Sequence, residues 1–304
     1  LEETIRDGIL QGKSMPIRDL MSAEDKIVRE LDVSKMDMSF VSSDDDDMKW
    51  ISDYAEGKIE IGLTTGDERM DEHFRYKKNF TIINGHSNIG KTTFALYMLV
   101  NSAIRHNWKW LIYSSENKTA SIKMRLMEMA SDIPIKQMTY GQRKEAFKWV
   151  NKHFTIVSNK DVYSYIDLIM FCEKVTQNQE IDGFFIDPYN SLKIEMTNNR
   201  NVGTHEYHYE AATEFLTYSQ RKDIAVWLNT HAVTEAQRMK GEDGLPIAPF
   251  AEQTEGGGKF VNRCDTFLSF HRKIQHPEPH MRKTMEFHVR KERMTETGGS
   301  PTSY

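Results

Sequence analysis

Eight consecutive residues, 85–92, have the composition of a loop that holds phosphate groups. They read Gly-His-Ser-Asn-Ile-Gly-Lys-Thr and fit the pattern G-x-x-x-x-G-K-[ST]. In this pattern the glycines let backbone N–H groups approach phosphate oxygens, the lysine reaches the β and γ phosphates, and the last hydroxyl can bind Mg²⁺. The sequence therefore predicts a site for a nucleoside triphosphate with Mg²⁺. The predicted phosphate-binding residues are Gly85, His86, Ser87, Asn88, Ile89, Gly90, Lys91, Thr92 and Thr93.

Apolar runs flank this loop in the order that the motif requires. Residues 80–84 predict a short buried strand, and residues 93–100 predict a mostly apolar helix. The N-terminus of such a helix adds partial positive charge where the phosphates bind. A chance match in a glycine-containing turn is the alternative, and the order strand, loop, helix argues against it.

Two acidic residues follow other predicted strands. Asp187 ends an apolar run, the position of a carboxylate that holds Mg²⁺ opposite Thr92. The alternative is an ordinary strand end before Pro188. Glu116 also follows a predicted strand, where a carboxylate can orient and deprotonate an attacking water, although it could equally be a helix-capping acid. Because proline and not glutamate follows Asp187, the base for hydrolysis must come from elsewhere or hydrolysis is slow.

From about residue 61 onward, short apolar runs alternate with helical patterns. This alternation is typical of an α/β fold with a wound, mostly parallel sheet. The predicted strands are residues 80–84, 108–114, 154–158, 181–187, 225–230, 266–271 and 285–291. The predicted helices after the one that follows the phosphate loop are residues 118–131, 143–153, 163–177 and 205–221.

Residues 1–60 differ from the rest of the chain. They hold 16 acidic and 8 basic side chains, and apolar residues recur at helical spacing only over residues 17–31. Four consecutive aspartates stand at residues 44–47. Because this region has too little apolar surface for a core of its own, we expect an N-terminal helix with an acidic linker. The nucleotide-binding domain is expected at residues 61–304.

Composition limits the partners that the protein could bind and the cellular compartment in which we expect it. A net charge of −5 argues against a protein that coats nucleic acid nonspecifically, but residues 259–293 hold 9 basic and 4 acidic side chains and could bind a polyanion locally. Cys172 and Cys264 lack zinc or redox spacing, so we expect inert core thiols in a reducing cytoplasm. An apolar run of about 18 residues, which a membrane span needs, is absent.

The order of the motifs resembles the RecA-fold motor of DnaB-type hexameric replicative helicases, phage primase-helicases and the mitochondrial Twinkle relative. The resemblance covers about residues 60–300. Besides the phosphate loop, the matching segments are Thr64-Thr65-Gly66-Asp67-Glu68-Arg69-Met70-Asp71, Ser114-Ser115-Glu116-Asn117, Asn229-Thr230-His231 and Lys291-Glu292-Arg293. A glycine-rich segment from Gly256 onward is also similar, but it departs from the family pattern at Asn262 and Cys264.

The resemblance implies a RecA-like P-loop NTPase that uses ATP and Mg²⁺ and forms a ring, expected to be a homo-hexamer. Glu116 would be the catalytic base, and His231 would sense the γ-phosphate. Lys291 and Arg293 would reach the ATP bound by a neighbouring subunit. Since phage members have histidine where other DnaB proteins have glutamine, His231 indicates a phage or mobile-element lineage, and thus a bacterial host cytoplasm.

The resemblance also implies translocation along single-stranded DNA, in the 5′–3′ direction, by two central loops. These are residues 193–204 and 234–257, and the expected DNA-binding residues are Lys193, Arg200, Arg238 and Lys240. Both segments are polar and rich in glycine or asparagine, as flexible loops that contact the DNA backbone would be. Plain surface loops are the alternative. Primase, loader and polymerase are the partners that the family implies.

Several alternatives stay open at this stage. A RecA-like recombinase shares the fold but forms filaments, and a regulatory ATPase of the same fold would act as a protein-binding switch. The histidines near residues 205–208 and 271–280 suggest a metal site, but no cysteine or carboxylate spacing supports zinc. Either a primase domain precedes this chain or the chain is a bare helicase motor.

Overall fold

The computed structural model describes residues 44–59, 61–194 and 204–303. The helix expected at residues 17–31 and the candidate DNA-binding residue Arg200 lie outside these ranges. The chain divides into two compact units, residues 1–59 and residues 60–304. Within the described ranges, no helix is long and apolar enough to cross a membrane.

In the first unit, helix α1 spans Asp44–Ala55. The acidic run that the composition assigns to a linker is instead the first turn of this helix. Acidic side chains suit that position, because they interact favourably with the positive end of the helix dipole. The rings of Trp50 and Tyr54 stack one turn apart on the exposed surface of α1, with centroids 5.8 Å apart.

The second unit is built on an eight-stranded sheet with the order β3-β2-β4-β5-β1-β6-β7-β8. Strands β1 to β6 are parallel, and β7 and β8 are antiparallel to their neighbours. The strands are β1 Phe80–Asn84, β2 Trp110–Ser114, β3 Phe154–Ile156, β4 Gly183–Asp187, β5 Ala225–Asn229, β6 Thr266–His271, β7 Glu286–Glu292 and β8 Thr302–Ser303. The predicted wound, mostly parallel sheet is therefore confirmed.

The first α-helix of this unit precedes the sheet, and the others connect the sheet's parallel strands. They are α2 Glu68–Asp71, α3 Lys91–His106, α4 Thr119–Ser131, α5 Tyr140–His153, α6 Tyr165–Thr176, α7 Thr204–Lys222 and α8 Gly258–Arg263. Helix α5 begins earlier than its apolar pattern predicts, because Thr139 and Gln142 form a reciprocal capping box at its start. Helix α3 begins within the phosphate-loop motif, directly after Gly90, whose φ of 92° only glycine adopts readily.

The central strands are buried on both faces, as expected for a parallel sheet covered by helices. In β2, for example, Trp110 and Ile112 face one hydrophobic layer, while Leu111 and Tyr113 face the other. Helices α3, α4 and α5 supply the first layer, and α6, α7 and α8 supply the second. Both cysteines lie in the second layer, where burial raises their thiol pKa values to about 12. The prediction that both thiols lie in the core is thus confirmed.

The packing predicts a strong effect of substitution at Gly183, the first residue of β4. A Cβ atom here would lie 2.3 Å from the ring of Trp110, which is fully buried. We expect Gly183→Ala to lower the free energy of unfolding by about 1–3 kcal/mol through overpacking, measured by urea denaturation. Gly141→Ala is the control, since a Cβ on this helical residue has open space. Equal stability of the two variants would contradict the packing described.

Candidate nucleotide-binding site

The sheet order brings the carboxyl ends of four strands together at one edge. Strands β2, β4, β5 and β1 are consecutive neighbours, and all run in the same direction. The phosphate loop follows β1, Asp187 ends β4, His231 follows β5 and Glu116 follows β2. In open α/β sheets, ligands bind in the crevice at this edge.

The phosphate loop passes closely over the sheet. A Cβ atom at Gly85 would lie 2.7 Å from the carbonyl oxygen of Phe270, so only glycine fits there. The loop borders an open cleft of about 510 Å³. The lining residues are His86, Ser87, Asn88, Gly90, Lys91, Thr92, Thr93, Glu116, Asn117, Arg125, His231 and Arg272. Most of the predicted phosphate-binding residues thus border one cleft; Ile89 is buried and packs in the core.

The ammonium group of Lys91 is buried within the loop. Its Nζ donates hydrogen bonds to the carbonyl oxygens of Gly85, at 3.1 Å, and Thr230, and lies 3.2 Å from Nδ1 of His231. Burial lowers the pKa of Lys91 to about 8, although the nearby carboxylates of Asp187 and Glu116 oppose this shift. Burial therefore disfavours the charged form of Lys91, and the two carboxylates offset this effect only in part.

This environment predicts that ATP binding takes up a fraction of a proton per site near pH 8. Phosphate charge beside Lys91 raises its pKa, so the fraction that is neutral at pH 8 must become protonated. We expect an uptake of up to about half a proton per site, because a group at its pKa is half protonated. Calorimetry in two buffers of different ionisation enthalpy measures it, with Lys91→Met protein as the control. A binding enthalpy that does not depend on the buffer would contradict the lowered pKa.

Asp187 is held by three polar neighbours. Its carboxylate accepts hydrogen bonds from Thr92 Oγ1, at 3.0 and 3.1 Å, from Asn229 Nδ2, and weakly from Ser114 Oγ at 3.5 Å. The side chain is 2% exposed, and burial raises its pKa. A carboxylate and a hydroxyl in contact are oxygen ligands of the kind that Mg²⁺ prefers, with phosphates and water completing its coordination. Thr92 and Asp187 therefore fit the predicted Mg²⁺ position.

His231 lies between Lys91 and Glu116. Its Nδ1 faces Lys91 Nζ, and its Nε2 lies 3.7 Å from a carboxylate oxygen of Glu116. Its backbone N–H donates to the Asn190 side chain at 2.9 Å. Burial and the charge of Lys91 lower the pKa of His231. The neutral imidazole is therefore favoured beside Lys91.

The half-exposed side chain of Glu116 points into the cleft. The alternative was a capping role for helix α4. The N-cap position of α4 is occupied by Lys118, and no side chain forms a capping hydrogen bond there. The helix-cap interpretation of Glu116 is therefore wrong.

Several side chains at the site were given no role from the sequence. Asn229 binds Asp187, while Arg125 and Arg272 line the cleft. Arg272 could have been anticipated, because it follows β6, the other neighbour of β1, at the same sheet edge. Arg125 had no such signal, since only the packing of α4 determines which face of that helix meets the cleft.

Lys291 and Arg293 are not brought to this cleft. Strand β7 is antiparallel, so its last residue, Glu292, pairs with Thr266 at the start of β6, the sheet edge opposite the phosphate loop. Lys291 Nζ donates to two backbone carbonyl oxygens, of Val261 and Cys264, at 2.5 and 2.7 Å. Arg293 pairs with the buried carboxylate of Asp265 at 3.1 Å and is partly exposed. Within one chain, neither cation contacts the nucleotide cleft.

The candidate DNA-binding residues Lys193, Arg238 and Lys240 are all exposed. We name residues 234–257 the second loop. The sequence favours a flexible segment here, but the structure shows a folded one. It begins with a 3-10 helix, Thr234–Arg238, and continues into a turn closed by pairing of Lys240 with Pro246. Several of its small apolar residues are buried, which the glycine-rich composition did not indicate: Ala236, Ala248 and Ala251.

Known proteins are similar to this chain in sequence and in fold. Among curated proteins, the "Twinkle homolog protein, chloroplastic/mitochondrial" of Arabidopsis thaliana is 28% identical over 225 residues, which cover 70% of this chain and 31% of that protein. The chain thus spans about a third of that relative's length.

Two solved structures superpose on the chain with a TM-score of 0.67. One, described as an "ATPase Domain", is 15% identical, and the match covers 86% of this chain and 94% of that chain. "The Structure Of A DnaB-Like Replicative Helicase And Its Interactions With Primase" is 16% identical, with coverage of 99% and 71%. These similarities show the RecA-like ATPase fold. Residues 62–303 match the family described as "DnaB-like helicase C terminal domain", and the chain belongs to that family.

Proposed function

We propose that this chain is the motor of an ATP-driven, ring-forming replicative DNA helicase that moves along single-stranded DNA in the 5′–3′ direction. One observation supports this most strongly. In a member of the DnaB-like family, a phosphate loop, a candidate base and a candidate γ-phosphate sensor border a single cleft, and the candidate Mg²⁺ carboxylate accepts hydrogen bonds from Thr92 of that loop.

Each part of this cleft has a distinct task in ATP hydrolysis. Loop N–H groups bind the phosphate oxygens, and Lys91 exchanges its carbonyl partners for the β and γ phosphates. Thr92 and Asp187 would hold Mg²⁺, which neutralises developing charge on the phosphates. Glu116 orients the attacking water and accepts its proton. His231, between Lys91 and Glu116, responds to loss of the γ-phosphate.

The proposed role of Glu116 predicts a separation of binding from hydrolysis. Glu116→Gln keeps a polar side chain of the same size but cannot accept a proton. We expect the variant to bind ATP with an affinity near that of the wild type and to hydrolyse it at least roughly 100-fold more slowly, the range for a lost general base. Single-turnover hydrolysis measures the rate, and Glu128→Gln, on α4 away from the cleft, is the control. Hydrolysis at the wild-type rate would remove Glu116 from the mechanism.

ATP is proposed to bind between subunits, with Lys291 and Arg293 of one subunit completing the cleft of the next. Their location at the sheet edge opposite the phosphate loop supports this, since neither reaches its own cleft. Exposed Lys193, Arg238 and Lys240, together with Arg200, would bind phosphates of single-stranded DNA. The hexameric state, the phage lineage, a cytoplasmic location and primase, loader or polymerase partners stay predictions.

ATP hydrolysis measured with and without single-stranded DNA, together with electron microscopy, distinguishes a helicase from a recombinase and from a regulatory ATPase. We expect single-stranded DNA to accelerate ATP hydrolysis and ATP to produce closed rings. Extended filaments on the DNA would favour a recombinase. Hydrolysis that single-stranded DNA does not change would favour a regulatory ATPase.

A further inference from the structure

The side chain of His86 reaches from the phosphate loop to the second loop. This side chain borders the cleft yet is only 5% exposed, and its Nε2 lies 3.0 Å from the carbonyl oxygen of Ile247 in the second loop. A carbonyl can only accept a hydrogen bond, so Nε2 must be the protonated ring nitrogen. The phosphate-loop motif places no constraint on this residue type. The side chain of His86 therefore links the phosphate loop directly to the second loop.

The second loop rests on a polar surface. Every second residue of β6 and of β7 points to one face of the sheet, and this face is largely buried. The residues of this polar face are Ser269, His271, Glu286, His288 and Arg290. Arg290 donates to the carbonyl oxygen of Ala248 at 3.3 Å, and its guanidinium lies over the ring of Phe250. Two neighbouring stretches of the second loop are thus held by polar groups from elsewhere in the domain.

Polar atoms within this contact are incompletely paired. The ring of His86 meets that of His271 edge to face, with centroids 5.6 Å apart. In the part of the chain that the structure describes, His86 Nδ1, Ser269 Oγ and His288 Nδ1 are buried without hydrogen-bond partners. Buried unpaired polar atoms raise the free energy of an arrangement, so these atoms weaken the contact between the second loop and the polar face. A small displacement of one attachment can then shift the loop.

We propose that His86 is a positioning residue, which couples the state of the phosphate loop to the placement of the second loop. The ring is carried on the loop backbone between Gly85 and Ser87, so phosphates that reorient this backbone move Nε2 relative to Ile247. The first step of this proposal is the coupling between the two loops, and it involves no DNA. The second step is that nucleotide thereby changes the affinity for single-stranded DNA, and this step rests on the function proposed above.

Hydrogen exchange tests the first step without DNA. The amides of residues 239–250 are monitored in the nucleotide-free protein and with a non-hydrolysable ATP analogue. The Ile247 amide is a useful reporter, because it donates to Met239 within the second loop. In the wild type we expect nucleotide to change exchange of this segment by about 5-fold or more, the lower end of typical coupling between sites. His86→Ala should reduce that change to less than about 2-fold when the analogue saturates both proteins.

Two further variants separate coupling from general stability. His86→Gln keeps a donor at the position of Nε2 and should restore the wild-type response. His153→Ala removes a similarly buried imidazole, which bonds the backbone carbonyl of Trp108 at 3.1 Å. His153 directly precedes β3 and so lies at the sheet edge opposite the cleft. This substitution should lower stability yet leave the response unchanged. The inference is overturned by an unresponsive wild type, an unaffected His86→Ala, a failed glutamine rescue, or equal loss in His153→Ala.

The second step, the effect of nucleotide on DNA affinity, is measured as the ratio of the dissociation constants for single-stranded DNA with and without the analogue. The wild type should show at least about a 5-fold ratio, which His86→Ala brings toward unity. If the wild type binds no DNA, the proposed helicase function fails, while the exchange result still decides the role of His86. If the DNA ratio survives in His86→Ala, the coupling runs through other residues and the inference is wrong.

Discussion

Lys91→Met protein is expected to show no measurable ATP hydrolysis and to bind ATP roughly 10- to 100-fold more weakly, as for the loss of one or two charged hydrogen bonds. The buried ammonium is positioned to exchange the Gly85 and Thr230 carbonyls for phosphate oxygens. Methionine fills the same volume without charge, so the effect does not come from a cavity. Equilibrium binding and steady-state turnover measure the two losses.

The matched control for this prediction is Lys109→Met. Lys109 forms an exposed ion pair with Glu180 near the start of β2, at the sheet edge away from the cleft. Its substitution should leave ATP affinity and turnover near the wild-type values, since exposed ion pairs contribute little. Near-normal hydrolysis by Lys91→Met protein would contradict the assignment of the cleft as the ATP site.

Arg293→Ala protein is expected to bind ATP but to hydrolyse it roughly 10³-fold more slowly, the range for loss of an arginine that stabilises transition-state charge. The proposed partner of Arg293 is the γ-phosphate held by a neighbouring subunit. Mixing inactive Arg293→Ala and Lys91→Met proteins should then restore part of the activity. Interfaces form in which one subunit supplies an intact phosphate loop and the other supplies an intact Arg293.

Loss of the ion pair between Arg293 and Asp265 is a second effect of this substitution, and it needs its own control. Thermal unfolding of Arg293→Ala reports the structural part. Arg263→Ala removes a neighbouring arginine, which stacks on Tyr209, and should retain most of the activity. If the two inactive proteins co-assemble and show no recovery, Arg293 acts within its own subunit or has no role, and the inter-subunit mechanism is wrong.

The fold could be predicted largely from local signals. Apolar runs with polar ends locate the strands of a parallel sheet, and parallel strands align their carboxyl ends at one edge. Sequence alone therefore places Asp187 and Glu116 beside the phosphate loop. The contacts among the site residues could not be predicted in the same way. Nothing in the spacing of Lys91, His231 and Glu116 indicates that the imidazole lies between the two charges.

Other features depend on packing between segments that are distant in sequence. His86 and Ile247 are 161 positions apart, and the motif leaves the residue type at His86 open. The folded second loop is not evident from the sequence, because its glycines and polar residues indicate flexibility, while burial of small residues such as Ala248 depends on the strands beneath. The acidic run at 44–47 suggests a solvated linker because four adjacent charges are typical of one. Aspartate is also favoured at the start of a helix, and the structure has the run there.

Strand displacement from a forked DNA duplex tests the helicase function most directly. The substrate carries both single-stranded tails, the 5′ tail alone, or the 3′ tail alone. With ATP and Mg²⁺, we expect displacement of the partner strand from the fork, loss of displacement when the 5′ tail is removed, and none with Lys91→Met protein. The helicase function would be contradicted if none of these substrates were unwound by protein that is active, that is, protein whose ATP hydrolysis is stimulated by single-stranded DNA. Displacement that needs only the 3′ tail would contradict the 5′–3′ direction.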